Sequence, residues 1–77
     1  MTHFKITFRT SLNGKQISYS TKTNQMQFGN SRVHVSDEDL DDLYYARQMD
    51  NVGAAYSIYE RNTNNGNFIS GNHYEFA

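Results

Sequence analysis

The stretch "HFKITFRTSLNGKQISYSTKT", residues 3 to 23, sets two alternating polar and apolar runs on either side of Asn13-Gly14. An Asn-Gly pair tolerates the two positive φ angles of a type I′ turn, whose twist matches that of paired strands, so the stretch predicts a β-hairpin. Taking Asn13 and Gly14 as the loop sets Thr10 opposite Ile17, Phe8 opposite Tyr19 and Ile6 opposite Thr21. The other face pairs Arg9 with Ser18, Thr7 with Ser20 and Lys5 with Lys22. Pattern and turn thus select one register, as they should where one face is buried.

Downstream, "NQMQFGNS" at 24 to 31 reads as a loop or short irregular strand anchored by Met26 and Phe28, and "RVHV" at 32 to 35 as a short strand with Val33 and Val35 inward. Ser36 is a helix N-cap type, and Asp39 three residues later gives a capping-box pattern with a shortened carboxylate. The helix is expected from about Asp37 to Gln48. Leu40, Leu43, Tyr44 and Arg47 form its inward stripe, and Glu38, Asp41, Asp42, Tyr45 and Met49 its outer side. "DNVGAA" is expected to stop it at Asn51 and Gly53. The rest, "AYSIYERNTNNGNFISGNHYEFA", reads as a second hairpin about Asn65-Gly66. A three-residue loop there sets Ile58 opposite Tyr74 and Tyr56 opposite Phe76, and a bulge at Gly71 is the alternative.

These elements give an α+β fold: an antiparallel sheet of four to five strands from two hairpins, packed by one short helix, in a single domain over residues 1–77. A chain of 77 residues buries only about 60% of the surface its unfolded form exposes. Without cysteine, neither a disulfide nor a thiolate metal site staples this core. At 36% hydrophobic and 19% charged residues the composition is still that of a folded chain. "MTHFKITFRT" alternates instead of presenting a basic region and an apolar run, and no stretch has membrane-spanning length, so the expected location is the cytoplasm.

The net charge of −1 conceals a division of charge along the chain. Residues 1 to 35 hold Lys5, Arg9, Lys15, Lys22 and Arg32 and no acid, whereas residues 36 to 77 hold all 8 acids against Arg47 and Arg61. Such a field steers partners. Carboxylates in the first helical turn are accounted for by the helix dipole, which covers Asp37, Glu38 and Asp39. It does not cover Asp41 and Asp42 one turn later, nor Tyr45 among them, and a tyrosine amid charges is typical of interface hot spots. Tyr59 is also left outside the expected core.

Chemistry is sparse. His3, His34 and His73 show no metal spacing, and His73 with Glu75 reads as a solvent-side polar pair. No nucleophile elbow, phosphate loop or H-E-x-x-H pattern is present. The expectation is a non-enzymatic protein with no cofactor and no metal. In gross character the whole chain resembles the small phage-encoded proteins that block host defences, the anti-CRISPR proteins among them: very short, without cysteine or proline, rich in Asn and Tyr, with an acidic surface. Such proteins commonly bind a nuclease complex and occlude its nucleic-acid site, sometimes with carboxylates in place of phosphates. The resemblance implies an inhibitor acting in the host cytoplasm, with Asp37, Glu38, Asp41 and Asp42 facing Lys and Arg of a nucleic-acid-handling enzyme and Tyr45 as anchor. The alternative is a small nucleic-acid-binding or regulatory protein that uses the basic hairpin through Lys5, Arg9, Lys15 and Lys22. A homodimer joining the basic half of one copy to the acidic half of the next is a third reading.

Overall fold

The computed structural model describes His3 and residues 5–71. Strands β1 (Lys5–Thr7), β2 (Ile17–Ser20), β3 (Gln25–Phe28) and β4 (Ser31–His34) form an antiparallel meander. A 3₁₀ turn (Asp37–Asp39) then leads into α1 (Leu40–Gln48) and α2 (Val52–Asn62), and a π-type turn (Thr63–Asn67) delivers β5 (Phe68–Ser70). Since β5 pairs antiparallel with β4, the five strands lie in chain order, with the helical pair inserted before the last of them. The α+β class and the five-stranded antiparallel sheet are as the sequence indicates, but one expected helix is two.

The first hairpin turns as expected: Asn13 (φ 54°) and Gly14 (φ 75°) are both left-handed, and Leu12 and Lys15 exchange backbone hydrogen bonds of 3.0 Å. Beyond the turn the register changes. Ile6 faces Tyr19 and Lys5 faces Ser20, in place of the expected Ile6/Thr21 and Lys5/Lys22 pairs. Two extra residues are accommodated between Phe8 and Leu12, and their backbone explains why. The amides of Arg9 and Thr10 donate to the Asp50 carboxylate, at 2.9 and 3.4 Å to Oδ1, while the Thr10 hydroxyl donates to Oδ2. A slip of two residues preserves the alternation of faces. Phe8, Ile17 and Tyr19 are accordingly buried, with Ile6 packed against them.

Asp50 ends α1 in a left-handed conformation (φ 49°), and Asn51 follows as the N-cap of α2, accepting from the Ala54 amide at 3.1 Å. Asn51 and Gly53 therefore reverse the chain into a second helix instead of stopping one. The expected first arm of the second hairpin, with Tyr56 and Ile58, is helical because Ala55, Ile58, Tyr59 and Asn62 recur at i, i+3, i+4 and i+7 and are all buried. The pairings of Ile58 with Tyr74 and Tyr56 with Phe76 are thereby excluded on the side of Tyr56 and Ile58; Tyr74 and Phe76 lie outside the described residues, as do Phe4, His73 and Glu75. Gly66 does take the left-handed position (φ 86°). Gly71 stands at φ 102°, where an added Cβ would sit 2.3 Å from the Asn30 carbonyl oxygen. The β4/β5 pairing shifts register between Arg32 and Val33.

The core lies between the helices and one sheet face. Met26, Phe28, Val33 and Val35 join the hairpin residues against Leu43 and Ala46 of α1 and Ala55, Ile58 and Tyr59 of α2. Phe28 meets Tyr56 and Tyr59 edge to face at 5.5 and 5.6 Å, the geometry that ring quadrupoles favour. Tyr59, expected outside the core, is 2% exposed. Tyr44, expected inside, lies at the margin with its ring edge-on to Tyr19. Ala46 takes the inward place assigned to Arg47, since the buried stripe of α1 is centred on Leu43 and Ala46.

The contacts at Asp50 generate a pH dependence. The hydrogen bond from the Thr10 hydroxyl first, then those from the Arg9 and Thr10 amides and the charge of Arg47, hold its carboxyl below the ordinary value. A lowered folded-state pKa adds stability that is fully present above the unfolded value of about 3.9 and is lost as pH falls through the folded one. Urea unfolding of Asp50→Asn is expected to show lower stability than wild type at pH 7. The gap should narrow as the pH falls below that unfolded value, and a gap that stays constant with pH would remove this role for Asp50.

Candidate functional site

The acidic run divides by depth. Asp37 and Glu38 in the 3₁₀ turn, and Asp41 and Asp42 in the first turn of α1, are exposed; Asp39 is 5% exposed. Asp39 Oδ1 lies 2.6 Å from Nη2 of Arg61, and its Oδ2 accepts from Asn62 Nδ2 at 2.9 Å. The capping box expected at Ser36 is not formed. Instead the Ser36 amide and hydroxyl both donate to Asn62 Oδ1 at 3.0 Å. Asn67 Nδ2 donates to the same oxygen at 2.9 Å, and Asn62 Nδ2 also reaches the Ile58 carbonyl. Asp39 is thus a tether of α1 to α2. Its spacing held a signal for this, since Asp39, Leu43 and Ala46 follow i, i+4, i+7 and share one helical face.

What remains outside is a mixed surface on α1. Asp41, Asp42, Tyr45 and Met49 follow one another at helical spacing, with Tyr45 66% and Met49 64% exposed. Tyr45 and Met49 overhang a groove of about 350 Å³ between α1 and α2. Ala46, Ala54 and Ile58 line it with apolar surface, and Asp42, Asn51, Ser57 and Arg61 give it polar edges. Asp42 approaches Arg61 at 3.7 Å, an exposed pair. Such a pair stabilises little, so Asp42 stays available to another cation. Helical spacing alone makes Asp41, Asp42 and Tyr45 neighbours, but the groove is not legible in it, because α2 forms its second wall.

On the sheet side, the four basic residues of the alternative reading are dispersed. Lys5 lies on β1, Arg9 in the bulge held by Asp50, and Lys15 and Lys22 at turns on opposite ends of β2. Among the described residues no three His, Cys, Asp or Glu side chains group as a metal site, and no helix is long and apolar enough to cross a membrane. Comparison with known proteins finds no matching protein-family model, curated protein or solved structure.

The division by depth predicts opposite outcomes for neighbouring acids. Asp39→Ala removes charge-assisted bonds and strands an Asn62 amide hydrogen, a loss of about 2 to 3 kcal/mol in denaturant unfolding. Asp41→Ala is expected to change stability by under about 0.5 kcal/mol, as surface substitutions do. Equal effects would put Asp39 and Asp41 in the same class.

Proposed function

We propose that this protein is a non-enzymatic inhibitor that docks the outer face of α1 on a basic surface of a nucleic-acid-handling enzyme and so occludes that enzyme's nucleic-acid site. One observation carries the reading: two large side chains, Tyr45 and Met49, stand exposed beside Asp41 and Asp42 at the lip of an apolar groove. In water alone that arrangement brings no benefit. Against a partner, carboxylates attract and orient Lys or Arg, and a rigid aromatic supplies contact area at low entropic cost. A guanidinium can meet Asp41 or Asp42 and still lie over the Tyr45 ring, which adds a cation–π contribution. Asp37 and Glu38 extend the same negative surface by one turn. The resemblance to phage-encoded inhibitors supplies the class of target, and the groove supplies room for an apolar side chain of it.

The reading is tested with immobilised protein exposed to a bacterial lysate and, for any nuclease retained, with a cleavage assay. Wild-type protein is expected to retain a nucleic-acid-handling enzyme and to block its cleavage. Tyr45→Ala should weaken binding about 30-fold, the ~2 kcal/mol of a hot spot, and Asp41→Lys should slow association. Both variants should melt near the wild-type temperature. Retention unaffected by both substitutions would overturn the assignment of this face.

A further inference from the structure

The sheet face opposite the helices forms a second surface with chemistry of its own. Strand register aligns its side chains in two rows: Lys5, Ser20, Gln25 and His34 in one, and Thr7, Ser18, Gln27, Arg32 and Ser70 in the other. Every position is polar, and none is acidic. The acids of the described residues lie in the 3₁₀ turn, in α1 and α2 and at Asp50 between them. A trough of about 290 Å³ crosses the strands between Lys5 and Arg32, floored by Ser18, Ser20, Gln25 and Gln27. A neighbouring hollow of about 220 Å³ shares Lys5, Ser18 and Gln27 with it and adds Gln16.

We propose that this trough binds the phosphodiester backbone of a single-stranded nucleic acid. Two exposed cations stand at its ends, roughly 16 Å apart from three strand spacings and a two-residue offset. Between them lie hydroxyl and amide donors, the groups that contact phosphate and sugar oxygens without reading sequence. The charge is complementary, since among the described residues no carboxylate on the face repels an anion. A single strand fits better than a duplex because, among the described residues, both helices pack on the opposite sheet face and none stands here to enter a groove. Neither row holds an aromatic to stack bases, so affinity rests on the backbone and stays indifferent to sequence. Arg32, from a strand outside the basic hairpin, replaces Arg9, Lys15 and Lys22 as the partner of Lys5. This surface is independent of the acidic helix face and stands or falls separately.

The test is fluorescence anisotropy of a labelled oligothymidylate titrated with the full chain at several salt concentrations. Two neutralised phosphates give a log–log salt slope of about −1.4, or about sevenfold weaker binding between about 50 and 200 mM salt. Lys5→Gln and Arg32→Gln should each remove about half of that slope, while Arg9→Gln, Lys22→Gln and Asp41→Lys leave it unchanged. Thermal melts of the variants exclude misfolding. Absence of binding at about 50 mM salt, equal loss with Arg9→Gln or Lys22→Gln, or a duplex of the same length bound as tightly would each overturn the proposal.

Discussion

The side-chain amide of Asn62, with no exposed surface, holds three separate segments to one another. Its nitrogen donates to Asp39 and to the Ile58 carbonyl, and its oxygen accepts from the Ser36 amide and hydroxyl and from Asn67. Apolar packing is non-directional and leaves a small helical layer some freedom to slide. A buried amide whose bonds are all made does not, because any slide leaves a polar group unpaired in a place where that is costly. The exit from β4, the last turn of α2 and the approach to β5 are fixed together in this way. The width of the groove between α1 and α2 and the position of the edge strand both follow.

Much of the sheet was legible because its signals are local. Asn13 and Gly14 announce their turn in two residues, and the alternation around them assigns faces even though the register slips by two. The slip itself was not legible, since its cause, Asp50, lies 40 residues away from Thr10. Asp39 was hidden for the same reason: it reads as one of five helix-start carboxylates until Arg61 and Asn62 stand beside it. At the second helix the pattern is ambiguous. Tyr56 and Ile58 alternate as in a strand, while Ala55, Ile58, Tyr59 and Asn62 recur as in a helix, and the Asn65-Gly66 pair is itself a hairpin signal. Asn51 is a start signal as much as a stop, because a residue that can end one helix can also cap the next.

The candidate docking face was half visible. Asp41, Asp42 and Tyr45 lie on one element, and helical spacing alone brings them together. The groove beside them is built from two elements, so no single stretch of sequence encodes it. The open sheet face shows the same limit in stronger form: Lys5 and Arg32 are far apart in the chain and are gathered by strand register.

The division of charge along the chain becomes, in the fold, a division between layers. The first 35 residues contribute the four-strand meander with its cations, and the acids of the described residues follow in the helical layer above it. A nearly neutral molecule so arranged carries a permanent dipole moment between its helical layer and its sheet, across a body whose smallest extent is 18 Å. Near a highly charged assembly it experiences a torque before it experiences much net attraction. It would arrive already rotated, presenting helices to a positive surface and sheet to a negative one, and added salt would erode that alignment as the screening length falls to about the thickness of the molecule or less.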